Sequence, residues 1–161
     1  MHPYLNGERA PLWDANARGA FFGLTAQHTR VDMTRAALEG ITFNLAHIAQ
    51  MVQALTGPFT SLQAAGGFAK SPVWQQIVAD IFNAPVAIPK NVESSCFGAA
   101  VLGMVSLDLL PNLEAVSDLV NHDAPRQPVA ANVAVYQRLY PLYEQLAQAY
   151  QPLFKQLADF K

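Results

Sequence analysis

A chain of 161 residues with a formal net charge of -2 and a sequence pI near 6.0 suits one domain, and this balance excludes the basic face that holds nucleic-acid phosphates. Charged residues make up only 14%, against roughly 25% in ordinary globular domains, so part of the surface is expected to lie against another lobe or subunit. Cys96 is the single cysteine, which excludes an intrachain disulfide and fits a reducing cytoplasm.

Pro3, Gly7, Pro11 and Gly19 punctuate the opening segment as loops, and AFFGL (Ala20 to Leu24) reads as a short strand. From Asp32 the apolar period becomes helical: Leu38, Ile41, Leu45, Ile48, Val52 and Leu55 share one face. Asp32 is expected to cap this helix and Gly57-Pro58 to end it. Phe59 to Ala65 reads as a strand broken by Gly66 and Gly67. Ser71 then offers an N-cap, and Pro72 at the first helical position loses no hydrogen bond, because its N–H would be orphaned there anyway. Val73, Trp74, Ile77, Val78 and Ile81 supply the buried stripe of that helix, Asn83-Ala84-Pro85 a turn, and Val86 to Ile88 a short strand ended by Pro89.

A further helix is expected from Ser94 or Ser95 through CFGAAVLGMVSL, with Gly98, Ala99, Ala100 and Gly103 admitting a neighbouring backbone and Cys96 buried as a structural thiol. The uncharged stretch Cys96 to Leu107 is shorter than the roughly 20 residues of a membrane span. MHPYLNGERAP has neither the basic start nor the apolar run of a signal peptide. Both point to a soluble cytoplasmic chain. Pro111 to Pro128 reads as a loop-rich connection. From Ala131 the pattern is helical again, with Tyr136, Leu139, Tyr143, Leu146, Tyr150, Leu153 and Leu157 on one face and a kink or break expected at Pro141 and Pro152. Two or three short strands among four or more helices make an α/β pattern that looks incomplete.

The glycine turn is the main candidate for chemistry. A bare backbone between strand and helix admits a ligand, and a helix start offers free N–H groups to an anion. The residues alone leave two readings of Gly66-Gly67 open, tight helix–strand packing and ligand approach. Lys70-Ser71 follows Ala69 rather than glycine, so the phosphate-loop pattern fails, and no G-x-G-x-x-G is present. His2, His28, His47 and His122 lack metal-ligand spacing and read as surface or hydrogen-bonded residues. Glu8, Arg9, Asp14 and Arg18 read first as a loop held by ion pairs, with substrate contact the second reading. The tyrosine-rich C-terminal stripe reads as core or interface, since no basic residues interleave with it.

PYLNGERAPLWDANARGAFFGL followed by DMTRAALEGITFNL resembles the C-terminal lobe of the FGGY carbohydrate kinases. Gly19, Phe21, Gly23 and Leu24, then Asp32-Met33, Ala36-Ala37 and Leu38-Glu39, fit the family's second signature throughout. The Gly66-Gly67 segment is similar to its adenosine-binding motif and ESSCFGAAVLG to the small-residue helix that follows. Within the family, GERAPLWDANARG looks most like bacterial gluconokinases, with xylulokinase-like members second.

The resemblance implies an actin-like ATPase, ribonuclease H-like fold, helix-rich, with residues 1–161 as an incomplete C-terminal domain. It implies ATP and Mg2+ as cofactors of the complete enzyme and transfer of phosphate to a sugar or sugar acid, gluconate to 6-phosphogluconate. It assigns Gly67 and Ser71 to the adenosine part of the nucleotide, with Gly66 and Phe68 shaping that pocket. The family's N-terminal lobe and its Gly-Asp-Gln segment, which carries the general base, have no counterpart here. Asp14, Asp32 and Asp80 do not take that place, so no catalytic residue is assigned. The chain alone is expected to be inactive, to be cut from a longer one, and to self-associate or pair with the missing lobe. Two other readings stand beside this one, a non-catalytic nucleotide-binding or assembly module and a truncated product without function. No nucleic-acid or membrane partner is expected.

Overall fold

The computed structural model describes residues 1–59, 62–90 and 94–160. Its contacts divide the chain into two units: Met1–Phe59 with Asp80–Phe82 and Val129–Lys161, and Thr60–Ala79 with Asn83–Pro128.

The first unit is built on two long helices, α1 (Arg30–Thr56) and α4 (Ala130–Ala158). Thr29, not Asp32, is the N-cap of α1. Asp32 lies at the third helical position, and one of its carboxylate oxygens accepts the Thr29 N–H at 2.8 Å and the Thr29 hydroxyl at 2.7 Å. Both bonds favour the anion and hold the Asp32 carboxyl below its ordinary range. The helix ends at Gly57, as its Gly-Pro signal predicts. Its buried face is Gly40, Thr42, Phe43 and Ala46, whereas Leu45, Val52 and Leu55 of the predicted stripe are exposed. Aromatic area decides this: Phe43 packs with Tyr136 and Tyr143 of α4, ring centroids 5.8 and 5.3 Å away, and Ile81 and Tyr140 pack against that cluster.

α4 runs unbroken through Pro141 and Pro152, against expectation. Both prolines are exposed, so water can reach the carbonyls they leave unpaired. Its buried residues are Val133, Tyr136, Tyr143, Ala147 and Phe154, while Leu139, Leu153 and Leu157 are exposed. The helix begins after Val129, which has no side-chain oxygen to cap it. Buried Asp80 ties down this start instead, accepting the Val129 N–H at 2.7 Å and the Asn132 side-chain NH2 at 2.8 Å.

The opening segment is tied down without becoming a sheet. His2 and Ala20 exchange backbone bonds of 2.8 and 3.1 Å, but AFFGL forms no strand beyond that bridge. Tyr4 and Ala17 are buried with Phe154. The predicted ion-pair loop is held differently. Glu8 and Asp14 exchange two backbone bonds of 2.9 Å, and their carboxylates accept the N–H groups of Ala10 and Asn16 at 3.0 and 2.8 Å. Arg18 donates to the carbonyls of Ala15 and Ala17. Among the described residues the one salt bridge is Arg35–Glu39.

The second unit holds a three-stranded sheet in the order β1-β2-β3, with β1 Leu62–Gln63, β2 Val86–Pro89 and β3 His122–Arg126. β1 and β2 are parallel, Leu62 opposite Val86, and α2 (Pro72–Phe82) connects them as a βαβ crossover. β3 is antiparallel to β2, Ile88 opposite Asp123, with an irregularity between Val86 and Ile88. β3 lies within the stretch expected as loop. Thr60 and Ser61 of the expected first strand, and Glu93 of the ESSCFGAAVLG motif, lie outside the described residues. Along α2, Ile77, Val78 and Ala79 are buried, but Val73 is exposed.

α3 spans Ser94–Ser106, as expected. Its small residues receive no neighbour: a Cβ on Gly98 or Gly103 would meet nothing within 4 Å, and Ala99 and Ala100 are exposed. Cys96 is exposed rather than buried, since Val101 is the buried residue of this helix. No described helix is long and apolar enough to cross a membrane.

Candidate functional site: the glycine turn between β1 and α2

The chain leaves β1 through buried Ala64, whose N–H donates to Ala87 of β2 at 2.9 Å. Gly66 then takes φ +79°, a conformation that side-chain-bearing residues rarely adopt, and Gly67–Lys70 wind into a 3-10 turn. Among the described residues, a Cβ on Gly66 or Gly67 would meet nothing within 4 Å. No described residue of helix or strand packs against these glycines. Gly66 is needed for its backbone angle, and both leave open space before the main chain.

Ser71 closes the turn. Its N–H donates to Phe68 at 3.1 Å, its carbonyl takes the Gln75 N–H at 2.9 Å, and its hydroxyl oxygen takes the Trp74 N–H at 3.3 Å. Ser71 is thus the N-cap of α2 and Pro72 its first residue, as expected. The Phe68 and Trp74 rings lie 5.9 Å apart, tilted by 56°, forming an aromatic wall beside the turn. Gly66, Gly67, Phe68 and Ser71, named from the sequence, thus come together in one turn.

Sequence reasoning missed Gln75. It is 8% exposed, its amide donates to the Ala69 carbonyl at 2.6 Å, and its oxygen accepts Arg126 Nη2 at 3.2 Å. A polar residue inside an apolar stripe was the one available sign of it.

The other candidates lie elsewhere. His2 is buried, stacked on Tyr143 and bonded to that residue's carbonyl, and His28 bonds Thr25. Among the described residues no group of histidine, cysteine or carboxylate side chains could hold a metal ion. A cavity of about 610 Å³ belongs to the first unit, walled by Phe43, Leu142 and Leu146, and none of the four turn residues lines it.

Residues 1–107 match the family model described as the FGGY family of carbohydrate kinases, C-terminal domain. Gluconokinase of Bacillus subtilis (strain 168) is 41% identical over 162 residues, a match covering 100% of this chain and 32% of that protein, so the chain spans about a third of the relative's length. Two solved Lactobacillus acidophilus structures, a ligand-bound xylulose kinase and a gluconate kinase, superpose with TM-scores of 0.86 and 0.85. Each is 39% identical and covers 96% of this chain and 32% of its own. Plasmodium falciparum glycerol kinase, solved with ADP, superposes at 0.75 with 26% identity over 92% of this chain and 30% of its own. These matches carry the fold expectation, an actin-like ATPase fold rich in helices with a small mixed sheet. The chain belongs to the FGGY family of carbohydrate kinases, matching its C-terminal domain.

Proposed function

We propose that this chain is the nucleotide-binding part of an ATP-dependent carbohydrate kinase, and that the turn of Gly66, Gly67, Phe68 and Ser71 receives the adenosine end of the nucleotide. One observation carries the reading: no described residue lies within 4 Å of where a Cβ on Gly66 or Gly67 would stand, beside the Phe68–Trp74 rings. A flat apolar base with a polar sugar edge suits an aromatic wall next to exposed main chain. The ADP in the related glycerol kinase structure accords with a nucleotide of this class.

The reaction would move the γ-phosphate of ATP to a hydroxyl of a sugar or sugar acid, with gluconate giving 6-phosphogluconate. Such a transfer depends on positioning and on a general base, and the aspartates named above are otherwise engaged. Asp14 holds the Asn16 N–H, Asp32 closes the α1 cap and Asp80 ties down the start of α4. We therefore read these 161 residues as inactive alone, with the base and most sugar contacts supplied by residues outside them. Among the described residues no group of three or more His, Cys, Asp or Glu side chains is gathered, so Mg2+ would enter with the nucleotide phosphates. Xylulose is the second acceptor, favoured by the equal 39% identity to the xylulose and gluconate kinase structures.

Calorimetric titration of the chain with Mg-ADP, repeated on Gly67→Val, tests the reading. Gly67 lacks a positive φ and has open space around it, so the variant is expected to fold with unchanged circular dichroism and to lose ADP binding. Equal binding by both proteins would sink the assignment.

A further inference from the structure

The 3-10 turn has a defect written into its sequence. In an i→i+3 ladder the Ala69 carbonyl would accept from residue 72, but Pro72 has no N–H. Ala69 is buried, so this carbonyl needs another donor. Two bonds of the turn, Ala69 N–H to Gly66 at 3.2 Å and Ser71 N–H to Phe68 at 3.1 Å, lie at the upper end of the ordinary range.

Gln75 fills the gap from inside α2, at 2.6 Å. A carboxamide can present either its oxygen or its NH2, and the wrong face would set oxygen against oxygen. Arg126 settles the choice. Its guanidinium only donates, so its bond to Gln75 Oε1 fixes the NH2 toward Ala69. Gln76 adds a second tie, donating to the Gln127 carbonyl at 2.9 Å. Arg126 ends β3, beyond residues 1–107 that match the family model.

We propose that Gln75, oriented by Arg126, is a positioning residue of the nucleotide site: it holds the Ala69 carbonyl and thereby the 3-10 turn that presents Gly67 and Phe68. This rests on the nucleotide reading of the turn. Neither side chain need touch the nucleotide.

The test uses the whole chain and two readouts, amide hydrogen exchange without ligand and calorimetric titration with Mg-ADP. Gln75→Met keeps the length and removes both bonds. Gln75→Glu keeps a partner for Arg126 but cannot donate to Ala69. Both are expected to speed exchange at Ala69 and Ser71 about tenfold and to weaken ADP binding about tenfold, the size of one lost hydrogen bond, while Val78 and Ala79 keep wild-type exchange. Arg126→Met is expected to do the same in smaller measure, and it carries the test if the Gln75 variants do not fold.

Unchanged exchange at Ala69 and Ser71, or acceleration spread equally along α2, overturns the bracing. Faster exchange at the turn with wild-type ADP affinity overturns the positioning role and leaves the nucleotide reading intact. A wild-type chain that binds no ADP, or a Gly67→Val variant that binds as wild type does, overturns the nucleotide reading and the positioning role with it, whatever the exchange shows.

Discussion

The Tyr136 hydroxyl donates to Oε1 of Glu39 at 2.8 Å, and that same oxygen receives Arg35 Nε at 2.8 Å. Arg35 Nη2 closes the triangle on the Tyr136 oxygen at 3.0 Å. One tyrosine of α4 thus completes an i,i+4 ion pair of α1 that would be worth little alone.

Tyr136→Phe removes two of these bonds while keeping the ring against Phe43. The expected loss is about 1 kcal/mol in urea denaturation, with no change in the m-value. Burial first, and then the bond to Glu39, push the Tyr136 phenol up to about 12. A raised folded pKa stabilises the fold fully below about 10, the ordinary tyrosine value, and the contribution disappears as pH rises through the folded value. Stability should therefore decline above pH 10, less steeply in Tyr136→Phe. Equal declines would assign the effect to Tyr4, Tyr140 and Tyr143, which burial also raises.

His2 should make the protein sensitive to acid. It is 1% exposed, stacks on Tyr143 at 4.3 Å and bonds that residue's carbonyl through Nε2 at 3.0 Å. Burial holds its pKa below the ordinary value, partly offset by the bond to Tyr143. The neutral ring is the folded form, so its contribution is complete above about pH 6.5 and is lost as pH falls through the lower folded value. The melting temperature should drop between pH 7 and 5, with a smaller drop in His2→Gln. The Met1 amino group is also held below its ordinary value by burial, so its window opens at about pH 8 and runs downward, which makes the His2 variant the deciding comparison. A variant that melts in parallel with wild type from pH 7 to 5 would rule His2 out as the source.

Asp80 should matter more than its short side chain suggests. Asp80→Ala leaves the Val129 N–H and the Asn132 side-chain NH2 without their acceptor at the start of α4. We expect a cost of about 2 kcal/mol, the loss of two part-buried hydrogen bonds to a charged acceptor. Asp80→Asn retains one acceptor oxygen and should lose less than half as much. Urea melts of both variants decide this, and equal losses would remove hydrogen bonding as the cause.

Local chemistry was legible where it is dictated by neighbours in sequence. Gly57-Pro58 ended α1, Ser71-Pro72 opened α2, and β2 and α3 lay where their punctuation put them. Tertiary choices were not legible. Periodicity selected Leu45, Val52 and Leu55 of α1, but the buried face follows the aromatic partners of Phe43. The residues of β3, HDAPR, show no apolar alternation and include a proline, so only pairing with β2 makes them a strand. At the candidate site, Gly66-Gly67 and Ser71 could be read from the sequence. Gln75 and Arg126 could not, because 51 positions separate them.

Pro141 and Pro152 stand 11 residues apart in α4, just over three full turns at 3.6 residues each. They therefore occupy nearly the same meridian of the helix, opposite the side carrying Tyr136, Tyr143 and Phe154. A rod weakened twice along one outer line bends in one plane. Its softness is directional, and α4 can bow over its aromatic side while resisting sideways deflection.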